Sequence, residues 1–177
     1  MKDIIHNPAT GDSMEFLQTA EGTNGRMTEF IITLAPHNAW AKWPRHFHPF
    51  QTETFKVLEG ELNLTAGDRH LVLKPGDKKV IVEKFMLHSF WNEQDVPVKF
   101  QAEIYPPVNI EKGLRLSYKL AQDGKINSRN IPSNPFHSFI LMDYFDAYFP
   151  WFPWKIQKWL FRMGSNLAGL LGYKKNL

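Results

Sequence analysis

Two histidines and a glutamate in residues 45–53 (RHFHPFQTE) have side chains that could bind a metal ion. His46 and His48 are two residues apart, so in an extended strand both imidazoles point to the same face. Glu53 begins an alternating run in which it shares a face with Phe55, so its carboxylate points toward an apolar interior. A buried carboxylate is costly unless it is paired or bound to a metal, and neutral imidazole is the commonest metal ligand. The stretch therefore predicts a metal site.

A third imidazole, that of His88, lies in the segment 80–92, four residues before Asn92. With it, the chain shows the spacing of both cupin motifs: two histidines, a glutamate and a glycine in the first, and a histidine followed by an asparagine in the second. The positions that carry this pattern are His46, His48, Glu53, Gly60, His88 and Asn92. From about residue 38 to residue 104 the chain resembles a single-domain cupin of the conserved-barrel type, a group that often carries additional C-terminal helices.

The resemblance implies that His46, His48, Glu53 and His88 bind one divalent transition-metal ion inside the barrel. Three imidazoles and one carboxylate suit iron, manganese, nickel, copper or zinc, and the open coordination positions can take substrate, water or dioxygen. Glu53 is the candidate catalytic residue, because it can either remain a ligand or move away to act as a base.

Two positions depart from the cupin pattern. The glycine that begins the first motif is replaced by Trp40, and the Pro-x-Gly of the second motif is replaced by residues 83–85, which end in Phe85. Glycine permits backbone conformations that phenylalanine resists. The resemblance therefore does not define the loop before His88, whereas all four ligand positions are kept.

Short strands followed by helices are predicted to position these residues. Alternating apolar residues and turn signals predict strands at 28–34, 53–58, 61–65, 69–73, 79–83, 88–91 and 96–104. Beyond residue 107 the apolar spacing becomes helical and predicts helices at 109–120, 135–148 and 154–171.

The predicted fold class is mainly β: a small antiparallel β-barrel or jelly roll, as in cupins, with a C-terminal α-helical extension. Residues 1–106 are expected to form the barrel with its N-terminal strands, and residues 107–177 the helical extension packed on the barrel. Together they would make one domain.

Composition excludes several classes of site. The 177 residues include no cysteine, which excludes disulfides, thiolate zinc sites and a cysteine nucleophile. No phosphate-binding glycine loop, G-x-S-x-G elbow or nucleic-acid motif is present, which disfavours a nucleotide enzyme, a serine hydrolase and nucleic-acid binding. The N-terminus lacks a secretory signal and no run approaches the roughly 18 apolar residues of a membrane span, so a soluble, cytoplasmic protein is expected.

Aromatic residues could line a pocket for an aromatic or other hydrophobic molecule, although core packing is expected to explain most of them. The candidates are Trp40, Trp43, Phe50, Phe55, Phe85, Phe90 and Phe100. Gln51 could hydrogen-bond a ligand or lie in a surface turn, and Asn92 is expected to secure the turn after His88.

The C-terminal region is basic and aromatic. Residues 111–177 carry 10 basic and 4 acidic residues, and from residue 147 onward there are 5 basic residues and no acidic one. The third predicted helix lines up apolar residues on one side and basic ones on the other. Contact with a membrane surface is one interpretation. Packing over the barrel or against a partner in a homodimer is the preferred one.

Two functions remain open from the sequence. The first is a metal-binding cupin that handles a small organic, hydrophobic or aromatic ligand, as a quercetinase-like dioxygenase or as an isomerase. The second is a non-catalytic module that binds or senses a small molecule and responds through its helices. Cupins include both classes, so fold alone does not choose between them.

Overall fold

The structure, a computed structural model, describes residues 3–38, 45–127 and 131–174. Strands occupy the first part of the chain and helices the last. Within the described residues the strands are β1 (Asp3–His6), β2 (Ser13–Gln18), β3 (Thr28–Leu34), β4 (Thr52–Glu59), β5 (Leu62–Ala66), β6 (Arg69–Leu73), β7 (Val80–Val82), β8 (His88–Trp91) and β9 (Val98–Tyr105), and the helices are α1 (Ile110–Gln122), α2 (Pro135–Phe145) and α3 (Trp154–Leu170).

The strands form two antiparallel sheets. In the part of the chain that the structure describes, one sheet has the order β1-β2-β3-β9-β4-β7 and the other β6-β5-β8. Their inner faces pack through aromatic rings: the centroid of Phe90 in β8 lies 5.5 Å from that of Phe55 in β4 and 5.4 Å from that of Phe100 in β9. This arrangement is a jelly roll and confirms the predicted fold class. Hydrogen bonds between the described strands do not close the two sheets into one continuous barrel.

Alternating side chains fix the register of the central strands. Both β3 and β9 bury every second residue, and they pair so that Ile32 lies opposite Phe100. A shift by one residue would expose the whole buried row to water. The same alternation in β4 turns Glu53 inward beside Phe55, as the sequence predicts.

Helix α2 is shorter than predicted. It ends at Phe145 rather than at residue 148, because Asp146 adopts a left-handed conformation with φ 50°. Two residues later, Tyr148 forms an antiparallel bridge with Phe47, in which each backbone amide donates to the other residue's carbonyl oxygen at 3.0 Å. The backbone of Tyr148 is therefore used for pairing with the segment that carries the first histidines.

Helix α1 is attached to the first strands by polar contacts. The backbone amide of Ala20 donates to the Glu111 carboxylate at 2.8 Å. The guanidinium of Arg115 pairs with Asp3 and lies 3.9 Å above the ring of Phe16. These contacts hold α1 against the larger sheet.

Helix α3 packs on α2 through small residues. Gly164 approaches Phe139 so closely that a Cβ atom there would lie 2.4 Å from the ring, and Ser165 and Ala168 are fully buried. Of the two preferred interpretations of the apolar stripe of this helix, packing over the barrel is wrong, and packing against a partner stays a prediction. Leu160 is half-buried, and the exposed members are Ile156, Met163, Leu167 and Leu170. None of the helices in the described residues combines the length and apolar character needed to cross a membrane.

Candidate metal centre

The segment that carries the first two histidines is held from both sides. The backbone of His46 pairs with that of His88 in β8 through hydrogen bonds of 2.9 and 3.1 Å. The next residue, Phe47, forms a second antiparallel bridge, with Tyr148, on the other edge of this segment. Because side chains alternate along this segment, the imidazoles of His46 and His48 both turn toward His88.

Three of the four predicted ligands, all of them imidazoles, lie close together. One nitrogen from each of His46, His48 and His88 lies within 4.8 Å of the others. Ring centroids are separated by 4.4 Å between His46 and His88, 5.1 Å between His46 and His48, and 5.4 Å between His48 and His88. Two nitrogens at about 2.1 Å from a single ion can be at most about 4.2 Å apart. The observed limit of 4.8 Å is slightly longer, so the rings would have to move inward by a few tenths of an ångström to bind one ion.

Backbone carbonyl groups orient two of the rings. The Nδ1 atom of His48 donates to the carbonyl oxygen of Asp146 at 3.2 Å, and that of His88 donates to the carbonyl oxygen of Met86 at 3.0 Å. In this tautomer the Nε2 atom of each neutral ring keeps a lone pair that faces the common centre. Hydrogen bonding of the outer ring nitrogen is the usual way in which proteins orient a metal-binding histidine.

The carboxylate of Glu53 lies beside two of the imidazoles. Its oxygens are 3.1 Å from Nε2 of His88 and 3.4 Å from Nε2 of His48. Glu53 is outside the group of mutually close ligand atoms that the three histidines form. The structure therefore brings the predicted acid to the edge of the imidazole cluster.

Electrostatics in this buried cluster favour a positive charge between the carboxylate and the rings. Burial would raise the pKa of Glu53, but His48, His88 and His46 outweigh it and hold the pKa at about 2. Burial lowers the pKa of His48 despite the nearby carboxylate. For His88, the Glu53 carboxylate overcomes the effect of burial and raises the pKa. Lone pairs on Nε2 would repel the carboxylate, so either a proton or a metal ion is needed there.

The residues therefore fit a divalent transition metal. Within the described residues, the buried Nε2 of His88 has no well-aligned hydrogen bond, although the Glu53 oxygen lies near it. A bound cation would satisfy this nitrogen and neutralise the carboxylate in one step. His46, His48 and His88 could hold such an ion, with Glu53 close enough to join them after a small movement.

An apolar cavity of about 100 Å³ adjoins the cluster. His46, His48 and Glu53 form part of its wall, and Ser89 and Tyr118 contribute hydroxyl-bearing side chains. The remaining wall is apolar and comes from both sheets and from the helices, with Phe30, Phe55, Phe90, Leu114 and Phe145 among its members. The cavity thus places a hydrophobic binding space directly against the candidate metal ligands.

The match to a known family agrees with this geometry. Residues 30–105, which include all four predicted ligands, match the cupin domain family. This part of the chain is a cupin domain.

Two curated relatives of this chain are named oxidoreductases. One, from Arthrobotrys oligospora, is 42% identical over 94 residues, which cover 48% of this chain and 37% of the relative. The other, oxidoreductase OpS7 from Beauveria bassiana, is 32% identical over 78 residues, which cover 42% of this chain and 26% of the relative. The matched stretches are thus well under half the length of either relative.

Solved structures also resemble the chain. A sugar phosphate isomerase of the cupin superfamily from Silicibacter pomeroyi is 25% identical, covers 56% of this chain and 62% of its own, and superposes with a TM-score of 0.46.

The aromatic residues that could line a pocket fall into four groups. Phe55 and Phe90 line the cavity of the cupin domain. Phe100 packs behind them in the core, and Phe50 and Phe85 are exposed. The remaining two, Trp40 and Trp43, lie outside the described residues.

Two polar residues near the cupin motifs have structural contacts. Gln51 is buried and donates to the carbonyl oxygen of Pro107 at 3.1 Å, so of its two interpretations the place in a surface turn is wrong. The amide of Asn92 donates to the carbonyl oxygens of Ala35 and Val96, both at 2.9 Å, and thus secures the turn after β8 as predicted.

Phe85 shows how the cupin domain accommodates its departure from the second motif. Its φ is 63°, in the left-handed region that favours glycine. Its backbone amide donates to the carbonyl oxygen of His48 at 3.0 Å, which ties the loop to the first motif. The ring lies near Phe47 and Trp154, with centroid distances of 5.8 and 5.9 Å. The chain therefore keeps a glycine-like backbone with a phenylalanine side chain.

Asp146 is a functional contributor that sequence reasoning missed. Its carbonyl oxygen orients His48, while its buried carboxylate accepts a hydrogen bond of 2.6 Å from the Tyr148 hydroxyl. The Nζ atom of Lys158 in α3 lies 3.5 Å from the same carboxylate oxygen. The contact with His48 spans 98 positions in sequence, so no local pattern could have indicated it.

Proposed function

We propose that this chain is a metal-dependent oxidoreductase of the cupin family that acts on a small apolar organic molecule. The observation that carries the proposal is the apolar cavity with His46, His48 and Glu53 in its wall. A divalent transition metal bound there would supply open coordination positions and Lewis-acid or redox chemistry.

The chain's own residues select an apolar substrate. Most of the cavity wall is hydrophobic, and a polar molecule would lose its hydrogen bonds to water on entering. Tyr118 is one of the few wall residues with a hydroxyl group, and burial raises its pKa, so the hydroxyl stays protonated at neutral pH. The ligand that best fits this cavity is an apolar molecule with one polar group. Its apolar part would contact the hydrophobic wall, and its polar group would face the histidines.

Glu53 is better suited to bind and neutralise the ion than to accept a substrate proton. A carboxylate with a pKa of about 2 is a weak base at neutral pH. Its oxygens already lie beside the Nε2 atoms of His48 and His88. The sequence leaves two roles open for Glu53, metal ligand and catalytic base, and we therefore favour the ligand role.

Oxidation is the reaction class that the curated relatives support. Both carry the name oxidoreductase, and each matches less than half of this chain. An apolar or aromatic substrate beside a site suited to iron, manganese, nickel or copper fits a dioxygenase similar to quercetinase-like cupins. This is the specific reaction to test first.

A non-catalytic binding module is the second candidate function. Leu114 of α1, together with Phe145 and Ala147 at and beyond the end of α2, lines the cavity, so a bound molecule would touch the helical region as well as the sheets. A ligand that shifts these helices would act as a signal without being converted.

Metal analysis and oxygen uptake test the proposal together. The protein is purified without chelators, its metals are quantified, and oxygen consumption is followed with a panel of small phenols and flavonols. We expect metal-dependent uptake that is lost in His88→Ala and kept in His70→Ala, a matched change at an exposed histidine. Protein that takes up none of the five candidate metals would rule the proposal out, and stoichiometric recovery of unchanged ligand would favour the binding module.

A further inference from the structure

The outward surface of α3 is apolar although the helix is packed in the fold. Trp159 is 61% exposed, Met163 50% and Leu170 86%. On a helix of 3.6 residues per turn, these side chains and those of Ile156 and Leu167 lie within one arc of about 80°. We call these five residues the α3 outer face.

The α3 outer face is not the side that stabilises the helix in the protein. The buried side consists of Gln157, Gly164, Ser165 and Ala168. The Gln157 amide accepts from the backbone amide of Phe149 at 3.1 Å and donates to its carbonyl oxygen at 2.8 Å, so this side also fixes the preceding turn. The helix thus has a fully buried side of small and polar residues and a largely exposed apolar side.

Charge around the α3 outer face has one sign. Lys155 and Arg162 are exposed and lie along one edge of the arc. From residue 147 to the end of the chain the sequence has 5 basic residues and no acidic one. Trp151, in the turn before the helix, is 69% exposed and adds a second indole on the outside. Exposed indoles and leucines beside lysine and arginine are the composition of helices that lie in a lipid interface.

We propose that the α3 outer face binds the surface of an anionic lipid bilayer, with the helix lying parallel to the membrane. The 17-residue helix is about 25 Å long, which suits a helix resting in the headgroup region. Its apolar arc would enter the boundary between headgroups and acyl chains, and its basic edge would contact anionic headgroups.

Charge argues against a second copy of the chain as the occupant. Pairing two α3 helices through this face would bring Lys155 and Arg162 of each copy near basic residues of the other. No acidic residue in the segment after Asp146 could neutralise them. An anionic surface supplies the missing counter-charges, so it is the occupant that the residues fit.

Vesicle binding of the full-length protein tests this proposal. Vesicles of equal parts phosphatidylserine and phosphatidylcholine are compared with vesicles of phosphatidylcholine alone, by co-sedimentation and by tryptophan fluorescence. We expect binding to the anionic vesicles with a blue shift in emission, and much weaker binding to the neutral ones. The variant K155Q/R162Q should bind about 25-fold more weakly, since each basic residue near such a surface contributes about fivefold.

Exposed substitutions elsewhere provide the controls. W159S/M163S should weaken vesicle binding at least about tenfold because it removes apolar area that enters the lipid. V72S/I81S removes two exposed apolar side chains, 46% and 47% exposed, from β6 and β7, and K56Q/K84Q removes two exposed lysines; both should bind as the wild type does. Equal thermal unfolding of all variants would exclude misfolding as the cause.

Three outcomes would overturn the proposal. The first is no binding to anionic vesicles. The second is equal binding to both vesicle types, and the third is a dimer in solution that W159S/M163S dissociates. Because these readouts do not involve the metal or the cavity, they are independent of the proposed oxidoreductase function.

Discussion

The Nδ1 atom of His48 lies 3.2 Å from the carbonyl oxygen of Asp146, so a residue after helix α2 orients a ligand of the candidate metal centre. The carboxylate of the same aspartate is held by the Tyr148 hydroxyl. The jelly roll brings the three imidazoles together, but the orientation of one of them depends on a residue of the C-terminal region.

This relationship predicts the effect of Tyr148→Phe. The change removes the hydroxyl and leaves the buried Asp146 carboxylate without its 2.6 Å hydrogen bond, which should cost about 1–3 kcal/mol of stability. Metal affinity should fall by about tenfold, the lower end of the range for residues that support a ligand. Competition with a chromogenic chelator measures the affinity. Tyr105→Phe, at an exposed tyrosine, is the control, and unchanged affinity in Tyr148→Phe would argue against this support.

Metal uptake is predicted to depend on pH through Glu53. The carboxylate raises the pKa of His88 above its ordinary value of 6.5, so an incoming ion must displace a proton from a larger share of the molecules than at an ordinary histidine. Affinity should therefore fall as the pH drops, beginning above 6.5. Glu53→Gln removes the charge that raises this pKa, so its affinity should be lower but flatter with pH above 6.5. Calorimetric titration with zinc across pH 6 to 9 checks the slope.

Acid stability of the metal-free protein should also depend on Glu53. Its folded pKa of about 2 lies below the ordinary value of 4.5, so its ionisation stabilises the fold above pH 4.5. That contribution is lost as the pH falls through 4.5 toward 2. Urea unfolding at a series of pH values should show a shallower loss in Glu53→Gln than in the wild type. The variant Glu59→Gln, at an exposed glutamate, should retain the wild-type slope.

Because the backbone at Phe85 is left-handed, glycine should be more stable than alanine at this position, the reverse of the usual order. Phe85→Gly should be more stable than Phe85→Ala by about 1 kcal/mol, because both lose the ring but only alanine keeps the strain of a positive φ. At the neighbouring Lys84, which is not among the positive-φ residues, alanine should be the more stable substitution. Chemical denaturation of the four variants gives both differences. The same sign at both positions would contradict the left-handed geometry.

Filling the cavity should separate ligand binding from metal binding. Ala102 lies in the cavity wall, paired with Phe30 and Phe55 on the flanking strands. Ala102→Leu should cost about 1–3 kcal/mol through overpacking and occupy space that an apolar substrate would use. We expect wild-type metal content with a loss of oxygen uptake. If uptake is unchanged in this variant, the cavity is not the substrate site.

Sequence patterns predicted the parts of this protein that depend on local periodicity. The alternation around Glu53 and Phe55 gave the inward face of β4, and the two-residue spacing of His46 and His48 gave their common face. These predictions succeed because a strand's side-chain period is fixed by its geometry. The place of His88 in the imidazole cluster came instead from the resemblance to cupins.

Contacts between distant segments could not be predicted in this way. The orientation of the His48 ring depends on a carbonyl oxygen 98 positions away in the sequence. The end of α2 depends on the pairing of Tyr148 with Phe47. The face of α3 was misjudged because Gly164 allows a close approach to Phe139, which buries the small side of the helix instead of the large apolar one.

The bridge between Phe47 and Tyr148 also bears on how the protein is made. A ribosome must synthesise the chain past residue 148, and that residue must leave the exit tunnel, before the strand-like segment with the first two histidines acquires its second neighbour. Until then the His48 ring of the nascent jelly roll would lack the hydrogen bond to Asp146 that orients it. Assembly of the candidate metal centre should therefore follow the synthesis of residue 148.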